Sequence, residues 1–229
     1  MSEIDLKGDV SPPEKLQGFE WWRRSLSYRT GLGLTPEEKK QFEIDFFHKQ
    51  VPKKCEDCVK NRNWVLNYSP SVRFMMDHVN KLGGNININN IKCEPCDDLK
   101  GGGFHPELGI LLCANWIKDK YNLEDILTHE LIHAYDHLKF NVDLNNLKHH
   151  ACTEIRASML SGECRIFSEI KRTGLSNFDK KFQSCIKRRA ILSVTANPNC
   201  KDKEEAERVV NSVWTSCFND TRPFERVYR

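Results

Sequence analysis

The pentapeptide His129-Glu130-Leu131-Ile132-His133 is the tightest constraint on this chain of 229 residues. It lies in a stretch of helical periodicity that opens near Leu123, just after the apolar run Gly109–Ala114 (GILLCA), which reads as a strand. Residues four apart share one helix face, so both imidazoles can reach one Zn2+ at ~2.0–2.1 Å. Glu130, beside the first histidine, is placed to take a proton from an attacking water and return it to a leaving amine. Leu127, Leu131 and Ile132 give the same helix an apolar flank, so the fold must bury a helix that also carries polar chemistry. The strand before it is expected to be a sheet edge, where an extended peptide can be held by β-addition.

A catalytic zinc site takes a third protein ligand and leaves a position for water. His137 is eight residues from His129, ~12 Å along a helix axis, too far to share one ion with it. His149 and His150 remain candidates beside the next helix. Glu154 is better placed, with twenty residues between it and His133 and an ordered flank, Ala151–Ala157. Glu154 is the expected third ligand of a single catalytic ion, with His150 the alternative. Asp136 is a candidate for orienting a ligand imidazole, and His105, in the glycine loop, for contacting substrate.

Composition narrows the class. A net charge of +3 is too mild to indicate nucleic acid, and no glycine-rich phosphate loop is present. The longest apolar run, residues 108–117, is interrupted by Gly109 and Asn115 and is far short of the ~20 residues that span a bilayer. No membrane span is expected, and the opening MSEIDLKGDVSPPEK reads as neither a secretory signal nor an Arg-rich presequence. Yet there are ten cysteines, more than a reducing compartment favours unless metals hold them. Cys55-x-x-Cys58 and Cys93-x-x-Cys96 have zinc-ribbon spacing internally but stand far apart, and six more cysteines follow no metal pattern, so disulfides are favoured. Neither pair opens a helix after a strand, which argues against a thioredoxin-like redox site.

Residues 1–18 read as a flexible tail and 19–229 as one domain. Thr35-Pro36-Glu37-Glu38 marks a helix start, a second helix is expected over about 55–66, and a third after Ser69-Pro70, ending at Gly83-Gly84. Short strands are expected at 85–92 and 109–114 with a loop at Gly101–Gly103. Helices follow at about 123–139, 149–172, 178–196 and 202–217. The expected fold class is α+β, mostly helical with a small sheet.

The blocks GGGFHPELGILLCANW, HELIHAYDH, HHACTEIRAS and TSCFNDTRPF resemble the family of mitochondrial inner membrane metalloproteases that mature ATP synthase subunit 6 in yeasts. The likeness runs from about Gly18 to the carboxyl terminus and is most specific over Gly101–Ser158. It implies a disulfide-rich, zincin-like metalloprotease, peripheral to the inner membrane on its intermembrane-space side. It also implies removal of the amino-terminal extension of the subunit 6 precursor and a proteolysis-independent chaperone role in assembling the membrane sector of ATP synthase. The alternative is a protein that is primarily an assembly chaperone. Carried over by position, His129 and His133 would ligate zinc and Glu130 would be the catalytic acid/base. Family members resemble substrates of the oxidative import machinery, which would leave five disulfides if all ten cysteines pair. Peripheral docking would draw on Trp21, Trp22, Arg23, Arg24, Tyr28 and Arg29, or on Lys180, Lys181, Lys187, Arg188 and Arg189. Core packing and plain solvation are the competing uses of those residues.

Overall fold

The computed structural model describes residues 18–31, 33–97, 100–164 and 178–225, which form two compact units divided between residues 54 and 55. The expected tail lies almost wholly outside the described residues. The first unit holds helix α1, Gly18–Thr30, and the opening turns of α2, Pro36–Tyr68. Thr35 and Glu38 form a reciprocal cap at the start of α2: the Glu38 N–H donates to the Thr35 hydroxyl at 3.2 Å, and the Thr35 N–H to the Glu38 carboxylate at 2.8 Å. Trp21 and Tyr28 of α1 pack on the buried Phe42 of α2, with ring centroids 5.1 and 5.0 Å apart. The second helix expected at 55–66 is no separate element, because α2 runs on through Pro52.

In the second unit, α3 (Pro70–Lys81) starts where Ser69 caps the Val72 N–H and stops before Gly83. Three strands follow: β1, Ile91–Glu94; β2, Gly102–His105; and β3, Gly109–Cys113. They stand in the order β1-β3-β2, with β1 parallel and β2 antiparallel to β3. This corrects one detail of the expected fold. The strand before the motif helix is central, and the glycine segment read as a loop supplies the edge beside it. Gly102 and Gly103 pair with Leu112 and Leu111, and at Gly102 a side chain would crowd the Leu111 carbonyl oxygen. β1 also begins later than expected, because asparagine side chains close a turn ahead of it. Asn90 accepts from the Asn87 N–H and Asn87 from the Asn89 N–H.

The remainder is helical: α4, Lys120–Phe140; α5, Leu147–Leu160; α6, Phe178–Thr195; and α7, Lys203–Asn219. The helix expected to reach 172 stops at Leu160, and its continuation beyond residue 164 lies outside the described residues. One apolar cluster joins Val65, Met75, Val79, Ile110 and Leu112 to the Leu123, Leu127, Leu131 and Ile132 face of α4. A second joins Ile155 of α5 to Ile186, Ala190 and Val194 of α6 and to Val210 and Phe218 of α7. The α4–α5 pair lies between the two.

Four disulfides close the unit: Cys58–Cys93, Cys96–Cys113, Cys152–Cys217 and Cys164–Cys185. Full pairing into five does not occur, because Cys55 packs against the first cluster and Cys200 against the second. Neither Cys-x-x-Cys is an internal pair or a ribbon site, since Cys58, Cys93 and Cys96 are all bonded elsewhere. Each bridge removes freedom from the unfolded chain, worth ~2–4 kcal/mol.

Gly109 holds a φ of +92°, and a methyl group there would meet the Asn90 carbonyl oxygen at 2.2 Å. Gly103 has open space on the same sheet. Gly109→Ala is therefore expected to lower stability by about 1–3 kcal/mol, with Gly103→Ala costing much less. Paired denaturant melts of the oxidised proteins measure both.

Candidate metal centre

α4 is capped by Asp119, whose carboxylate accepts the Tyr121 and Asn122 N–H groups at 2.9 and 2.8 Å. Its helical spacing sets His129 one turn before His133, with the rings edge to face and their centroids 4.7 Å apart. α5 is capped by Asn146 and brings Glu154 across to face them. Glu154 Oε2 lies 3.7 Å from His129 Nε2, and Oε1 lies 3.5 Å from His133 Nε2. Ligand atoms of His129, His133 and Glu154 all fall within 4.8 Å of one another. These are separations suited to donors around one tetrahedral ion at ~2.0–2.1 Å, and two imidazoles with one carboxylate are a donor set that zinc takes.

The other histidines are engaged elsewhere. His150 Nδ1 accepts from the Asn197 amide at 2.8 Å, and its Nε2 meets Ser193 Oγ at 3.1 Å and Glu154 Oε1 at 3.6 Å. His150 thus supports Glu154 from outside the group of three. His149 Nδ1 accepts the Asp143 N–H, and His137 rests near the Phe104 ring. His105 ends β2 on the surface, accepting the Glu107 N–H.

Behind His133 runs a chain of hydrogen bonds. Thr153 Oγ1 donates to Asp136 Oδ2 at 2.9 Å, so it must accept from the His133 Nδ1–H, also at 2.9 Å. That fixes the tautomer, leaving the Nε2 lone pair directed at Glu154. The fully buried Arg156 grips Asp136 through Nε and an Nη, at 2.9–3.1 Å. It spends its remaining donors on the Asp220 side chain and on the Asp220 and Arg222 carbonyls. Asp136 therefore orients a histidine through Thr153 rather than directly.

Behind His129 stands Glu163, with Oε2 2.9 Å from Nδ1. Arg189 of α6 pairs with the same carboxylate. The disulfide Cys164–Cys185 ties the residue after Glu163 to α6, one turn before Arg189. Sequence reading missed Glu163, Thr153, Arg156 and Arg189. Glu163 lies beyond the end of α5, and no spacing rule connects it to His129.

The burial of so many ionisable groups sets their protonation. Burial alone would lower His129, but the close carboxylates of Glu163 and Glu154 outweigh it and hold its pKa well above the ordinary value. Burial drives His133 down to about 4, against the pull of Glu154. It would raise Glu154, but the neighbouring imidazoles of His133, His129 and His150, 3.5–3.7 Å away, hold that carboxyl well below its usual range. Glu130 is pushed up to about 7, chiefly by burial and against the charge of His129 and a hydrogen bond from the Phe104 backbone.

β2 comes close to this helix because Gly102 has no side chain. A Cβ there would meet the Leu111 carbonyl at 2.7 Å and crowd Ile126 and Glu130. Its outer edge pairs with no strand among the described residues.

The Peptidase M76 family model matches residues 56–225, a span that contains every group just described. The chain belongs to the Peptidase M76 family. It is 77% identical over 220 residues to the "Mitochondrial inner membrane protease ATP23" of Debaryomyces hansenii, covering 96% of this chain and 93% of that protein. Proteins of the same name from Candida albicans and Kluyveromyces lactis are 67% and 54% identical, each over 96% of this chain and 94% of their own length. No solved structure matches it. Family and fold agree on a metallopeptidase, α+β and disulfide-rich.

Two outcomes follow for protein stripped with a chelator. The pairing of protonated His129 with Glu154 and Glu163 stabilises fully below the unfolded histidine value of ~6.5 and fades as pH rises through the raised folded value. A metal ion held by His129 would displace that proton, so zinc added near neutral pH is expected to release roughly one proton on binding, read by calorimetry in buffers of different ionisation enthalpy. Thr153→Val and Glu163→Gln are each expected to weaken zinc affinity about 10–100-fold, with Thr153→Ser near wild type, measured by chelator competition.

Proposed function

We propose that this protein is a zinc-dependent endopeptidase in which His129, His133 and Glu154 hold one ion and Glu130 is the acid/base. The observation that carries this reading is the convergence of those three ligand atoms on one buried spot beside Glu130. When bound, zinc supplies Lewis-acid activation of the scissile carbonyl and of a water molecule. Glu130, with a pKa near 7, takes the proton of the attacking water and hands it to the departing amine nitrogen. The open edge of β2 holds the peptide as an added strand, which keeps the cut bond extended alongside α4.

Location and substrate rest on likeness to relatives. Their printed names place them at the mitochondrial inner membrane, and no described helix is long and apolar enough to cross a membrane. The reading is peripheral attachment on the intermembrane-space side, reached through oxidative import, which suits a chain closed by four disulfides. The substrate is the subunit 6 precursor of ATP synthase, whose amino-terminal extension is removed. The same protein assists assembly of the membrane sector without proteolysis. These points come from the resemblance of the block at residues 101–158.

The test is cleavage of a subunit 6 precursor segment by the oxidised, zinc-loaded protein. Wild type should cut and lose activity on chelation. Glu130→Gln should retain zinc while cleavage falls by about 10²–10⁴-fold. In cells, the same variant should leave ATP synthase assembly largely intact. A folded, zinc-loaded wild type that cuts nothing would shift the function to assembly alone.

A further inference from the structure

α1 has two apolar faces, and only one of them is used. At about 100° per residue, Trp21, Ser25 and Tyr28 fall on one side, and Phe19, Trp22 and Leu26 on the other. The first side meets α2: Trp21 stacks near Phe42 and Phe46, the Lys49 ammonium sits over the Trp21 ring, and the Tyr28 hydroxyl donates to Glu43 at 2.6 Å. The second side faces solvent. Phe19, Trp22 and Leu26 are 70%, 57% and 48% exposed, and the rings of Phe19 and Trp22 stack on each other at 5.6 Å. No other described helix leaves three large apolar side chains exposed at this spacing. By the same wheel, Arg23 lies along one margin of the stripe and Arg29 along the other, and both are exposed. The only acid of α1, Glu20, pairs with Arg23 at 2.8 Å in the open, a weak contact that a stronger anion displaces.

Charge selects the occupant. Two copies of α1 meeting face to face would set arginine margins against arginine margins. A bilayer surface suits both parts of the stripe, since aromatic rings settle at headgroup depth and cationic margins meet lipid phosphates. The second basic patch considered from sequence is less available: Lys187 lies over Trp214 and bonds Asn211, and Arg189 is committed to Glu163.

We propose that α1 docks this protein on an anionic membrane surface, with Phe19, Trp22 and Leu26 entering the headgroup layer and Arg23 and Arg29 on lipid phosphates. The inference rests on the peripheral location given above and names the surface that achieves it. Trp21 and Tyr28, part of the patch read from sequence, serve the packing of α1 on α2 instead.

The experiment is co-flotation of the full-length, zinc-loaded protein with vesicles, either phosphatidylcholine alone or phosphatidylcholine with phosphatidylglycerol. Wild type should float with the anionic vesicles and largely stay behind with the neutral ones. Combined Phe19→Ser, Trp22→Ser and Leu26→Ser should lower partitioning by more than about tenfold. Arg23→Gln with Arg29→Gln should lower it by about fivefold per arginine, an effect that salt mimics in wild type. Unchanged circular dichroism and zinc content confirm that a variant is folded. Trp22→Ser alone, with a loss of several-fold, replaces the triple variant if that one misfolds. The proposal is overturned if wild type fails to float, or if the folded apolar variants float like wild type. It is also overturned if wild type is a dimer by light scattering and the triple variant a monomer, because the stripe then belongs to a second copy. Flotation is blind to cleavage. A protein that floats as expected and cuts nothing would sink the peptidase reading and leave the docking surface standing.

Discussion

The second unit is organised around one buried ion pair. Arg156 of α5 closes on Asp136 of α4 with two guanidinium nitrogens, and its other donors collect the chain at Asp220 and Arg222 after α7. Two charges in so dry a place are costly to desolvate, and removing one of them typically costs 3–5 kcal/mol because the other is left stranded. The geometry admits little slack, since a one-residue slip of α5 would rotate Arg156 away from Asp136. It would equally rotate Glu154 away from the histidines, two residues earlier on the same helix. The pair that fixes the α4–α5 register thus fixes the candidate metal centre, and through Thr153 it also fixes the tautomer of His133.

The two histidines are prepared differently. His133 is backed by a neutral hydroxyl and driven towards the uncharged form, whereas His129 is backed by the Glu163 carboxylate and drawn towards the charged one. A carboxylate on the far nitrogen makes an imidazole a stronger donor, while a hydroxyl mainly orients it. Glu130 is the only one of the three clustered glutamates whose pKa is raised. Glu154 and Glu163 both have cationic partners that hold them ionised, so the work is divided among three like residues by what each one faces.

Much of this was legible in the sequence because it depends on local rules. Four-residue spacing put His129 and His133 on one face, and the capping residues Thr35 and Ser69 stand where helices start. The strand GILLCA was visible from its apolar run, but its place in the sheet was not. Whether a strand is central depends on the segment that pairs with it, and Gly102-Gly103 have no side-chain pattern to announce pairing. The sequence narrowed the third position to Glu154 or His150. Only the packing of α6 and the loop after it, which bring Ser193 and Asn197 to the imidazole, shows His150 turned to other partners. Glu163 and Arg189 were invisible for the same reason, being neighbours through a disulfide and a helix packing rather than through any periodicity.

That disulfide has a further meaning. Glu163 is presented to His129 from beyond the end of α5, next to a covalent clasp that closes a 21-residue span onto α6. Without that bond, Glu163 is held towards His129 by its short link to α5 and by its ion pair with Arg189. Closing the clasp therefore narrows the range of positions open to Glu163 beside the candidate metal centre.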